Sequence, residues 1–267
     1  MNMIVCIKQV LDPEAPPASF KVDDARNKVL QPPNVSLVVD PYSAFALEAA
    51  LKVKDAQGGK ITAITLGANL LRSVVKKSLS LGADELILLE DEAFDGGDSW
   101  STAYALAKAI EKISDYSIIF CGREDAERNA GQVGSAIAEM LAVPSVTLAQ
   151  KIDVSDGKAI VKRRTDDGYE VLEVSLPTLI TVSHEIGQLR YETIKGMMAA
   201  KKKEPVIWRP VDIEADSAQI GAKGSHTRML RLFQPVREGR CEFVGGATPE
   251  EQGVNLALKL KEQKIII

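Results

Sequence analysis

Between an apolar run ending at Cys121 and a later amphipathic stretch lies Gly122-Arg-Glu-Asp-Ala-Glu-Arg-Asn-Ala-Gly-Gln-Val-Gly134, rich in charge and bounded by glycines. A loop that leaves a buried strand and opens a helix offers unpaired N–H groups and the positive end of the helix dipole. Together these favour a phosphate. Gly131 and Gly134 would let the backbone approach such a group closely. The spacing is neither G-x-G-x-x-G nor a Walker A sequence, so by spacing alone the loop reads equally as a phosphate cradle or a tight structural turn.

Covalent chemistry finds less support. The only histidines, His184 and His226, lack the i, i+4 spacing of a metal pair, and no serine or cysteine elbow accompanies them. The carboxylate pairs Asp23-Asp24, Asp166-Asp167 and Glu250-Glu251 read as turns and caps. No catalytic residue and no metal site are expected. Cys6, Cys121 and Cys241 are widely spaced without a C-x-x-C pair, so neither a thiolate metal site nor a redox dithiol is expected. Cys6 and Cys121 read as small core residues within apolar strands.

These residues need a scaffold, and the hydrophobic rhythm describes one. Apolar runs at 3–10, 60–66, 85–89 and 116–121 alternate with helical patterns that start at Asp40-Pro41, Asn69, Asp98 and about Gly131. That alternation predicts an α/β fold with a mostly parallel, Rossmann-like sheet covered on both faces. From Val146 the rhythm changes to consecutive strands at about 146–151, 159–165, 169–175 and 178–182, predicting an antiparallel extension with a hairpin at Asp167-Gly168. Beyond Pro205 the chain turns irregular. A last helix opens at Thr248-Pro249-Glu250-Glu251, a capping box. The expected organisation is a nucleotide-binding domain over 1–210 and a C-terminal arm and helix over 211–267 that packs on a partner.

Bulk properties narrow the function. The 267 residues carry a net charge of −4 and only 5% aromatics, which argues against nucleic-acid binding. No apolar run reaches the roughly 18 residues of a membrane span. The first residues show no export signal and the cysteine usage suits a reducing compartment, so a cytoplasmic location is expected.

The order of the hairpin around Asp167-Gly168, Pro177 before a buried strand, Arg190-Tyr-Glu-Thr-Ile194 and Lys201-Lys202-Lys203 resembles the signature region of electron-transferring flavoprotein β subunits, the ETF β/FixA family. The resemblance covers nearly the whole chain. It implies an electron carrier that shuttles electrons from flavin dehydrogenases, often acyl-CoA dehydrogenases, within a heterodimer. The redox FAD would sit mainly in the α subunit. AMP, or a second FAD in an electron-bifurcating variant that uses NADH, would occupy this chain. The bifurcating pattern typically has Pro-Asp-Thr soon after the first strand, where this chain has Leu11-Asp12-Pro13-Glu14.

Carried over by position, Gly122, Glu127, Gly131, Gln132 and Val133 would meet the phosphate. Cys6, Lys8, Asp40, Ser43, Leu66 and Gly67 would surround the adenosine, and Tyr42 would lie nearest the flavin ring. The family often has Asn-Pro at Asp40-Pro41. Arg190, Tyr191, Ile194, Met197 and Met198 would form the partner-recognition loop, with Ile194 as the aliphatic anchor. A universal-stress-type ATP- or AMP-binding regulator would share the α/β core and an adenine site. It would have no need of the hairpin signature or the long arm.

Overall fold

A computed structural model describes residues 1–30, 32–235, 239 and 241–266. The chain forms two compact units, Met1–Arg231 and Leu232–Ile267. The first begins with β1 (Asn2–Cys6), followed by the short pairs β2 (Gln9–Leu11) with β5 (Leu37–Val39) and β3 (Lys21–Asp23) with β4 (Lys28–Leu30). Helix α1 (Pro41–Gln57) follows, then β6 (Lys60–Gly67), the short helices α2 (Arg72–Val75) and α3 (Lys77–Leu81), and β7 (Glu85–Glu90). Next come α4 (Ser99–Ile113), β8 (Ile118–Gly122) and α5 (Val133–Met140). The strands β9 (Ser145–Ser155), β10 (Lys158–Thr165), β11 (Gly168–Ser175) and β12 (Thr178–Val182) lead to α6 (Ile194–Lys202) and β13 (Val206–Trp208).

One nine-stranded sheet runs in the order β11-β10-β9-β12-β8-β1-β6-β7-β13. From β9 to β13 every neighbouring pair is parallel, whereas β9, β10 and β11 form an antiparallel meander. The meander is the expected extension. β12 is not part of it: it returns to lie parallel between β8 and β9, with all five of its residues buried. A strand buried on both faces belongs in the interior of a parallel sheet, whatever its neighbours in sequence.

Alternation along the strands splits the core between two faces. Met3, Val5, Ile118 and Phe120 pack on the side of α1, while Ile4, Ile119 and Cys121 pack on the other side with residues of α4 and α5. The chain winds from β1 outward through β6 and β7, then crosses to β8 on the opposite side of β1. That reversal opens a crevice at the carboxyl ends of β1 and β8, the place where open α/β sheets receive ligands.

Helix caps follow local chemistry. Asp40 caps α1, accepting from the Tyr42 and Ser43 N–H groups, and Asp98 caps α4 in the same way. Asn69 does not cap the next helix. That helix starts after Leu71 without a side-chain cap and is broken in two at Lys76, while Gln9 binds the Leu71 N–H and the Asn69 carbonyl.

In the first unit, residues 211–231 continue beyond the 210/211 boundary expected from sequence. Ile213 and Ile220 are buried, and Ser225, His226 and Thr227 bond to Asp98. In the second unit, α7 (Pro249–Glu262) is capped by Thr248, with the Glu251 carboxylate accepting from the Ala247 N–H in return. None of its described residues is buried within this chain, and Val254, Leu256 and Leu258 are exposed. Part of the arginine-rich stretch 227–240 lies outside the described residues.

Candidate functional site

At the crevice between β1 and β8 lies a cavity of about 290 Å³. Its walls include Cys6, Lys8, Ser43, Leu66 and Gly67 from one side, and Gly122, Glu127, Gly131, Gln132 and Val133 from the other. Thus ten of the twelve residues expected at the cofactor converge on one space; Asp40 and Tyr42 do not line it.

Asp40 organises the site from that position. Its fully buried carboxylate accepts from Tyr42 N–H and Ser43 N–H through one oxygen and, 2.8 Å away, from Ala126 N–H through the other. The head of α1 and the 122–134 loop are therefore joined through a single side chain. Burial pushes this carboxyl above its ordinary value, and the three N–H bonds offset only part of the rise.

The Ser43 hydroxyl accepts from the Lys8 N–H at 3.0 Å, tying β1 to the same corner. The Lys8 ammonium pairs with Glu127 at 2.7 Å and Asp125 at 3.2 Å. Desolvation alone would raise the Asp125 carboxyl, but Lys8 and the N–H groups of Arg128 and Glu127 bring it below its ordinary value. Arg123 pairs with Glu124 and lies over the Tyr42 ring, 5.6 Å from its centroid. Tyr42 thereby stands against the outer face of the loop.

Glycines set how closely the loop packs. A Cβ at Gly122 would lie 2.6 Å from Tyr42 Cβ, and one at Gly134 would lie 2.9 Å from Thr181 Cγ2, so both positions exclude side chains. Gln132 precedes α5 without a side-chain cap, leaving the first N–H groups of that helix to the cavity. Arg123 Nε is a further buried donor without a partner. The uncapped first N–H groups of α5 fit a phosphate-bearing ligand.

The sequence reading passed over the opposite wall, formed by Phe94 to Ser99 and Thr102. Arg128 reaches across to it, donating to the Gly97 carbonyl at 3.1 Å. The signal was present: Gly96-Gly97-Asp98 lies between a strand and a helix, as the 122–134 loop does. Among the described residues no group of three or more His, Cys, Asp or Glu side chains could hold a metal ion. No helix among them is long and apolar enough to cross a membrane.

Away from the cavity, the expected recognition residues divide into two kinds. Tyr191, Ile194, Met197 and Met198 are exposed, Tyr191 at 94% and Ile194 at 75%. Arg190 instead turns inward. Its N–H, Nε and Nη2 all donate to the buried Glu48 carboxylate at 3.0–3.1 Å, and Nη2 also pairs with Asp55 at 2.9 Å. Ile194 opens helix α6, capped by Thr193, so the segment is part loop and part helix. The Lys203 ammonium is engaged by the carbonyls of Ala83 and Asp84 rather than free at the surface.

A Rossmann-like parallel sheet with a crevice at its switch point places the chain in the α/β class. The family described as "Electron transfer flavoprotein domain" matches residues 30–212. The electron transfer flavoprotein subunit beta of Thermoanaerobacterium thermosaccharolyticum is 38% identical over the whole of both chains. The caffeyl-CoA reductase-Etf complex subunit CarD of Acetobacterium woodii is 37% identical, again over the whole of both. The acryloyl-CoA reductase electron transfer subunit gamma of Anaerotignum propionicum is 33% identical over both full lengths. The chain belongs to the electron transfer flavoprotein family, as a β-type subunit. Its role is electron transfer in association with flavin, alongside an α-type partner subunit and dehydrogenase partners.

Proposed function

We propose that this chain holds AMP in the crevice between β1 and β8, while an α-type partner carries the redox FAD. The cavity itself is the observation that supports this most. Its volume of about 290 Å³ is at the lower end of the range for small-molecule sites, which suits a mononucleotide better than a dinucleotide. The uncapped head of α5 would meet the phosphate, and Cys6, Ser43 and Leu66 would border the adenosine. A flavin supplies one- and two-electron chemistry when bound; this chain binds, orients and docks. One feature favours a complete FAD as a second reading: the cavity continues to the head of α4, past the residues expected for AMP.

Three features support the partners. The unburied apolar side of α7 suits an arm over 232–267, shorter than the 211–267 expected from sequence, that packs on the α-type subunit. Tyr191, Ile194 and Met198 present apolar surface on an anchored base, suited to a dehydrogenase pocket. Two relatives are named for reductases of CoA esters, in keeping with a partner enzyme of the acyl-CoA dehydrogenase type. Free cysteines at all three positions agree with work in the reducing cytoplasm.

The docking claim is tested by kinetics of the reconstituted heterodimer with an acyl-CoA dehydrogenase as donor. Burying an aliphatic anchor is worth roughly 1.5–3 kcal/mol. Ile194→Asp should therefore raise KM for the heterodimer by about ten-fold or more with kcat little changed. An unchanged KM would remove Ile194 from the interface.

A further inference from the structure

Cys6 ends β1 and Cys121 is the penultimate residue of β8. The parallel register that pairs Met3 with Ile118 and Val5 with Phe120 continues to set the two cysteines side by side. Both belong to the same face of the sheet, and both line the cavity. Neighbouring strands run about 4.8 Å apart, within the Cα separations of about 4.4–6.8 Å that a disulfide bridges. Cys6 is half-buried at the cavity wall and Cys121 is buried behind it. A hydrogen-bonding contact with Cys6, together with burial, pushes the Cys121 thiol up. A dissolved reagent therefore reaches the pair through the cavity, and meets Cys6 first.

We propose that Cys6 and Cys121 form a modification site, a dithiol that low-molecular-weight disulfides convert reversibly into an intramolecular disulfide. Cys6 loses its proton and its sulfur attacks one sulfur of the small disulfide, forming a mixed disulfide and expelling a first small thiolate, which takes up a proton. Cys121 then loses its proton, its sulfur attacks Cys6 Sγ, and a second small thiolate leaves and is protonated. Two protein thiols and one small disulfide become one protein disulfide and two small thiols, with no other reagent. Parallel strands point the two Cβ atoms the same way instead of toward each other, which makes the bridge strained and readily reduced. On the reading that an adenine nucleotide fills the cavity, bound nucleotide covers Cys6 and protects the pair.

The test uses the complex purified with its partner subunit, reduced, freed of nucleotide in this chain's cavity by exhaustive dialysis and verified by nucleotide assay, and incubated with glutathione disulfide. It is then denatured in N-ethylmaleimide and digested for mass spectrometry. The expected product is a Cys6–Cys121 linked peptide pair, two hydrogens lighter than the dithiol and restored by dithiothreitol. In Cys121→Ser, Cys6 should accumulate as the glutathione mixed disulfide; in Cys6→Ser, Cys121 should remain a free thiol. Recovery of both cysteines as maleimide adducts, in a buffer that oxidises dithiothreitol, would overturn the proposal. So would glutathione on Cys121 in Cys6→Ser. Added AMP should slow bridging; bridging at an unchanged rate would uphold the dithiol and count against AMP as the ligand of the cavity.

Discussion

Asp40 shows how one side chain can serve two elements. A capping carboxylate would satisfy α1 from the surface, yet this one is buried and its second oxygen also holds the 122–134 loop at Ala126. Removing it in Asp40→Ala should cost about 1 kcal/mol for the cap alone, and should also loosen the loop and lower nucleotide retention. Thermal melting and nucleotide content of the purified complex would check both. The pH dependence has a definite sign. Burial raises the Asp40 carboxyl above 3.8, so its contribution is complete below that value and is lost as pH rises through the raised native value. Asp40→Asn should therefore gain stability relative to the unaltered protein over that rise.

Glu185 behaves in the opposite sense. Burial alone would raise its carboxyl, but the Ser183 hydroxyl, its own N–H and the Arg164 guanidinium hold it at about 2. Its contribution is present above 4.5 and fades as pH falls toward 2. Urea unfolding of Glu185→Gln across this acid range should show that loss abolished; an unchanged pH slope would assign the acid sensitivity elsewhere.

At the scale of elements, α1 reaches from the cavity to the exposed segment around Ile194. Asp40 caps its head, and Glu48, two turns on, receives three bonds from Arg190. Glu192 accepts from the Ser80 hydroxyl, and Gly196 lets α6 press against the Ser80 carbonyl, so the base of the segment is fixed while its apolar tips are free. Arg190→Ala leaves a buried carboxylate without its main partner, at a cost of about 1–3 kcal/mol. Hydrogen exchange over 187–193 should speed up while that of β1 and β8 stays slow; protection of 187–193 as in the unaltered protein would show that Arg190 does not anchor it.

Much of this level was legible in the sequence. Asp40-Pro41 and Thr248-Pro249-Glu250-Glu251 mark real helix starts because capping is local chemistry. Asn69 misled because Gln9, sixty residues away, takes over the local hydrogen bonding there. The place of β12 inside the sheet, and the meeting of Cys6 with Cys121, depend on strand order, which no local pattern encodes. The same is true of the Phe94–Thr102 wall, brought to the cavity by a crossover and not by proximity in sequence.

Over the whole molecule, a parallel sheet reverses its winding at β1 and β8 and opens an anion-suited crevice there. The first unit also carries an exposed apolar segment on a fixed base, and the second carries a helix none of whose described residues is buried in this chain. The exposed apolar segment and α7 suit a subunit that completes itself on partners. The family assigns electron transfer to the complex, and the proposed adenine nucleotide occupies the cavity of this half. The most direct measurement is to co-purify the chain with its α-type subunit, release the bound nucleotides by denaturation, and quantify them. The account predicts equal amounts of FAD and AMP per heterodimer. Two FAD molecules and no AMP, or a chain that purifies alone as a homodimer charged with ATP, would contradict it.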